Sequence, residues 1–224
     1  MTSVTAPNPE VRVPPGCLNN KRLRQATRAV ALMDKDLAKI LADHGTPPLW
    51  SRQPGFVTLV RIILEQQVSL TSAEAMFRRL NDNIEPLTPA AVLLAGVSFL
   101  RSFGITRQKA SYFINVSEAI QNGDLDLEEI GYESDETAIE KLTAVKGIGP
   151  WTAKIYLLMA LGRPDVWPVG DIALATAVKN LKGLQQRPTQ PELTEMAKAW
   201  RPHRATAARM LWHYYLNTRP VGQK

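Results

Sequence analysis

The 224-residue chain contains one cysteine, Cys17. A single thiol cannot build a disulfide framework, a four-cysteine zinc site or a cysteine-ligated iron–sulfur cluster, and such sparing use fits a reducing cytoplasm. Long apolar runs are missing too. The longest, Ile155 to Leu161, has seven residues, far short of the roughly 20 that cross a bilayer. The chain does not open on a basic-then-apolar signal pattern, so we expect an intracellular, soluble protein with no membrane partner. His44, His203 and His213 have no spacing with carboxylates that would make a shared metal site. Strand signals are also lacking: there is no convincing alternating run, no Asn-Gly turn between β-branched stretches and no βαβ rhythm.

Acid is scarce everywhere except in one segment. Lys and Arg number 27 against 21 Asp and Glu, a net +6. Residues 124–140 hold eight acids and no base, so outside them 27 bases face 13 acids, a net +14. The last stretch, from Lys198 onward, has six bases and no acid. Such a balance suits a polyanion, nucleic acid first among them, and equally describes a generic basic protein. With 45% apolar and 21% charged residues the chain can bury a core, and its length suits one or two lobes.

What is present is helical periodicity. Residues 1–20, with Pro7, Pro9, Pro14 and Pro15, read as a loose arm. Leu23, Ala26, Val30, Met33, Leu37, Ile40 and Leu41 then follow three- and four-residue spacing and predict one amphipathic helix, ended by Gly45 and the Pro47-Pro48 pair. Further helices are expected over 56–68 and 71–81, from Thr88-Pro89, and over 107–121, 135–143, 150–162, 171–181, 191–200 and 202–218. The fold class is therefore all-α, with roughly nine to eleven helices.

The stretch richest in chemistry is Leu142-Thr143-Ala144-Val145-Lys146-Gly147-Ile148-Gly149-Pro150-Trp151-Thr152-Ala153-Lys154. A Gly-x-Gly turn followed by a proline lets two helices meet closely, and leaves the N–H groups of the new helix free to hold an anion such as a DNA phosphate. Lys141, Lys146 and Lys154 flank it with no acid between them. An ordinary corner between two helices would use the same glycines.

This string resembles the helix-hairpin-helix signature of the DNA glycosylase superfamily. Trp167-Pro168-Val169-Gly170-Asp171 is similar to the family's Gly/Pro-rich loop with its aspartate. Ile62-Ile63-Leu64-Glu65-Gln66-Gln67-Val68-Ser69 resembles an early helix of the alkylbase branch, the 3-methyladenine DNA glycosylases of the second type. Trp200-Arg201-Pro202-His203-Arg204, with Met210-Leu211-Trp212, is a fourth match. The matches run from about Pro54 to Trp212. The resemblance implies a two-lobed all-α fold with a cleft: a central lobe of residues 54–165 carrying the hairpin at 142–154, and a second lobe of 21–53 plus 166–218. We expect a short form, since about 50 residues before Pro54 are too few for the N-terminal β-containing domain of better-known members.

The implied activity is hydrolysis of the N-glycosidic bond of alkylated bases in duplex DNA, by base flipping: an alkylated purine is cationic and leaves without a general acid, so one carboxylate suffices. Asp171 is that carboxylate, and the N-terminus of the helix it opens favours negative charge. A plain N-cap is the other role open to it. Asp165 is the rival acid, but it precedes the turn. Bifunctional relatives carry a lysine where this chain has Trp151, so no Schiff base is expected and an abasic site is left. Trp212, Trp151 and Tyr156 are assigned to the base pocket, where an indole face suits a cationic base; core filling is their other use. Ile155 replaces a family aromatic, and Trp50, Trp167 and Trp200 read as core. DNA contacts fall to Gly147, Gly149, Lys146, Lys154 and Arg204, with Arg107 in the turn 104–109 as the wedge and Gln67 probing the widowed base. Carbonyls of Thr143, Val145 and Ile148 are implied ligands of a structural Na+ or K+; no dissociable cofactor is expected, and the protein should act as a monomer. Two other functions fit part of the pattern, a non-catalytic DNA-binding hairpin module and a glycosylase for mismatched or oxidised bases.

Overall fold

A computed structural model describes residues 16–218; residues 1–15 of the expected arm lie outside the described residues. The arm's last residues are docked: Cys17 and Leu18 are buried, and the Leu18 N–H donates to the Gly162 carbonyl at 2.6 Å.

Among the described residues there are twelve helices and no strand. They are α1 Asn20–Met33, α2 Lys35–His44, α3 Phe56–Glu65, α4 Leu70–Asn83, α5 Pro89–Ser102, α6 Arg107–Gln121, α7 Leu127–Ile130, α8 Asp135–Thr143, α9 Pro150–Met159, α10 Ile172–Lys182, α11 Gln190–Lys198 and α12 Arg204–Thr218. Most starts follow from local chemistry. Ser69, Thr88, Thr106, Ser134, Asp171 and Thr189 each cap a helix by accepting a backbone N–H. Two starts, α3 on Gly55 and α9 on Gly149, have no side-chain cap.

Three expectations are corrected. The single helix through Leu41 is two, because Asp34 leaves helical geometry (φ −142°, ψ 118°) and its carboxylate caps α2 by accepting the N–H groups of Asp36 and Leu37. Met33, counted towards the apolar stripe, is consequently 46% exposed. The helix expected over 56–68 stops at Glu65, and Gln67 follows with φ 56°. No helix is expected at the start of the acidic segment, yet α7 forms there, capped by Asp126; with the split at Asp34 it brings the helices among the described residues to twelve, against nine to eleven expected.

Helix contacts fall into two groups. In one, α12 packs on α1, α2 and α10, and α1 on α2; in the other, α3 packs on α4, α6 and α9, α5 on α6, and α8 on α9. Arg209 of α12 joins the groups. It is fully buried and donates to the carbonyls of Leu49, Ala205 and Leu158, the last in α9, at 2.9, 3.1 and 2.7 Å. Burial without a counter-charge pulls its pKa down to about 10. Trp167 and Trp200 fill the core with ring centroids 5.4 Å apart, and the Trp200 indole N–H donates to Asp34 at 3.0 Å.

Candidate active site

The hairpin between α8 and α9 is shaped by one glycine above all. Gly147 has φ +111°, and a Cβ there would stand 2.5 Å from Cγ of Tyr112 on α6. Only a residue without a side chain lets the turn lie against that ring. Ile148 is buried as the plug of the corner, and its N–H donates to the Val145 carbonyl at 3.0 Å. The backbone N–H groups of Gly147, Gly149 and Trp151 meet no acceptor among the described residues. With Lys146 exposed beside them, they form a positive rim at the start of α9.

Trp151 stands in the first turn of α9 and is half-buried. Its indole N–H donates to Oδ2 of Asp171 at 3.0 Å. The other oxygen, Oδ1, accepts the indole N–H of Trp212 at 3.2 Å and the backbone N–H of Leu174 at 2.9 Å. The carboxylate is thus an N-cap and more: two indoles, from α9 and α12, converge on the acid that opens α10. No Lys, Arg or His side chain pairs with Asp171 among the described residues. Asp171 is half-buried, Gly170 before it is exposed with φ +85°, and Ile172 after it is 66% exposed, so the group opens onto the surface. Trp212 retains 9% exposure.

The glycosylase family lies behind these residues in more than resemblance. A model of the HhH-GPD superfamily base excision DNA repair protein matches residues 60–202. The chain belongs to this superfamily. The Bacillus subtilis protein YfjP is 30% identical over 79% of this chain and 64% of its own length, so the chain spans less than two thirds of that relative. DNA-3-methyladenine glycosylase 1 of Schizosaccharomyces pombe is 28% identical over 80% of each chain. Among solved structures, the S. pombe 3-methyladenine DNA glycosylase in complex with abasic DNA superposes with a TM-score of 0.77 at 26% identity, covering 84% of this chain and 95% of that one. A Bacillus halodurans DNA-3-methyladenine glycosidase does so with a TM-score of 0.73 at 32% identity, covering 85% and 88%.

Within this HhH-GPD chain, several residues expected at the site lie elsewhere. Tyr156 is fully buried, and its hydroxyl accepts the Gly55 N–H at 2.9 Å, so it cannot face a base; the same burial pushes its pKa up to about 12. Arg204 is held by Asp165 through bonds of 2.9 Å from Nε and Nη2, which neutralises both and leaves neither the phosphate contact nor the rival acid free. Lys141 pairs with Glu133 and Glu129 at 2.6 and 3.1 Å, and its positive charge is cancelled rather than offered to DNA. Lys154 is half-buried one turn beyond Trp151; burial, then the nearby Arg204, lowers its pKa. Arg107 and Gln67 are both exposed.

Among the described residues no group of three or more His, Cys, Asp or Glu could hold a metal, and no helix is long and apolar enough to cross a membrane. Two surface cavities, of about 400 and 610 Å3, are lined respectively around Arg163 and Asp165 and around Gln53 and Leu87; neither includes Asp171. Sequence reasoning missed Gln66, whose amide donates to the Gly147 carbonyl at 3.1 Å and to Thr152 Oγ1 at 2.9 Å. Its only signal was its place in the Gln-Gln pair.

Proposed function

We propose that the protein is a monofunctional DNA glycosylase that excises alkylated bases from duplex DNA and leaves an abasic site. The observation that carries this is the Asp171 carboxylate, fixed by two indole N–H groups, open to the surface and without a cationic partner of its own. A cation that forms opposite it during reaction is stabilised by a group already in place. The breaking N-glycosidic bond supplies one. A methylated purine leaves with the bonding electron pair, positive charge develops on the sugar beside Asp171, and water adds to the anomeric carbon and releases its proton to solvent. Indole faces of Trp151 and Trp212 suit a cationic base. No lysine stands at the Trp151 position to attack the sugar.

The duplex is gripped by the hairpin N–H groups of Gly147, Gly149 and Trp151 with Lys146 and Lys154, while Arg107 fills the gap of the extruded nucleotide and Gln67 meets the widowed base. The two helix groups form lobes on either side of the cleft. Carbonyls of Thr143, Val145 and Ile148 are neutral oxygen donors of the kind hard cations take, and would hold Na+ or K+ beside a phosphate. The protein works as a monomer in a reducing cytoplasm. Methylated duplex DNA incubated with the protein should yield free 3-methyladenine or 7-methylpurine and no borohydride-trapped covalent adduct. Absence of any released base, or an adduct at the abasic site, refutes the proposal.

A further inference from the structure

Lys109 is the buried ammonium that neither the hairpin nor the carboxylate uses. It lies two residues after Arg107 on α6 and is 7% exposed. Its Nζ donates to the carbonyls of Leu64 at 2.6 Å and Gln66 at 2.7 Å. No acid pairs with it among the described residues, and burial holds its pKa below the usual lysine range. A desolvated cation without a counter-ion is expensive, and what compensates here is the negative end of α3, whose last carbonyls it takes.

Those carbonyls sit where α3 stops. Gln66 leaves helical geometry (φ −59°, ψ 122°), and Gln67 then turns outward with φ 56°, exposed together with Val68 and Ser69. The Gln66 side chain runs the other way, to Gly147 and Thr152 of the hairpin region. One ammonium and one amide therefore tie three segments together: the turn bearing Arg107, the loop bearing Gln67 and the phosphate-facing glycines. We infer that Lys109 is a positioning residue that locks the Gln67 loop against the Arg107 turn and, through Gln66, against the hairpin, so that the groups probing the duplex and the groups gripping it move as one unit during base extrusion. This rests on the base-excision function proposed above.

The test is Lys109→Met, which keeps the apolar stem and removes the charge. Single-turnover release of a methylated purine is measured from two duplexes, one with the normal opposite base and one with the lesion opposite an abasic site, where extrusion is easier and no widowed base is left to probe. Thermal melting and affinity for undamaged duplex are measured alongside. The expected result is a loss of about 10- to 100-fold on the first duplex, as misplacement of about 1 Å can cause, and less than about threefold on the second, with undamaged-duplex affinity also within about threefold. Equal loss on both duplexes, or none on either, overturns the inference. Should Lys109→Met fail to fold, Gln66→Ala at its half-buried position is put through the same comparison and judged by the same outcomes. Wild-type protein that releases no base from either duplex overturns the base-excision reading itself, a result distinct from equal loss.

Discussion

Gly147→Ala is the sharpest perturbation of the hairpin. With φ +111° an alanine enters a backbone region that side chains rarely adopt, which costs roughly 1–3 kcal/mol. Its Cβ would also press within 2.5–2.8 Å of three atoms of Tyr112, and overpacking of this kind costs about 1–3 kcal/mol more. The combined loss of roughly 2–6 kcal/mol is a large share of the stability of a typical domain and should lower the melting temperature by roughly 5–20 °C. Calorimetry measures it directly. Removing the ring as well, in Gly147→Ala with Tyr112→Ala, relieves the Cγ and Cδ1 contacts but leaves the Cβ of residue 112 at 2.6 Å and the backbone strain, so a partial coupling of about 1 kcal/mol is expected. A melting temperature within about 1 °C of wild type for the single variant refutes the reasoning. Additive losses in the double variant would show that the Tyr112 ring is not the source.

Other outcomes follow from the same geometry. Lys146→Ala should reduce the salt-dependence slope of duplex binding by about 1, whereas Arg204→Ala, whose charge Asp165 already cancels, should leave that slope unchanged; a matched change in both restores Arg204 to the DNA surface. Tyr156→Phe leaves the Gly55 N–H without its acceptor and should destabilise by about 1–2 kcal/mol with per-molecule base release intact. Because the Tyr156 pKa is raised to about 12, its stabilisation is fully present below the ordinary tyrosine value and disappears as the pH climbs through about 12; melting curves above pH 10 should therefore fall more steeply for wild type than for Tyr156→Phe, and parallel curves would contradict this. Trp212→Phe keeps an aromatic face but removes a donor to Asp171, and should slow base release by about tenfold, while Trp212→Ala should additionally blur the choice between cationic and neutral bases.

The parts of this protein legible before any coordinates were those written in neighbouring residues. The caps Ser69, Thr88 and Thr106, the Gly-Ile-Gly turn and the aspartate at the start of α10 are local signals, and these sit where the sequence pattern put them. Long-range partners were not legible. Tyr156 meets Gly55 101 positions away, and Arg204 meets Asp165 39 positions away; the fold, not the local pattern, turned these two side chains from the site to structural work. Lys141 looked like a phosphate contact because its acids precede α8, Glu129 in α7 and Glu133 in the turn that follows it. At Asp34 the apolar spacing continued across a break that the carboxylate's own capping bonds create. The indole pair on Asp171 joins residues 20 and 41 positions away from it, a convergence that periodicity does not carry.

The central claim is that the Asp171 carboxylate carries the chemistry while the hairpin carries the grip. Single-turnover release of 3-methyladenine from methylated duplex by Asp171→Asn, measured with its duplex affinity at the same stated salt, separates the two. The account predicts that release falls by about a hundredfold or more while affinity stays near wild type. Release at the wild-type rate contradicts it.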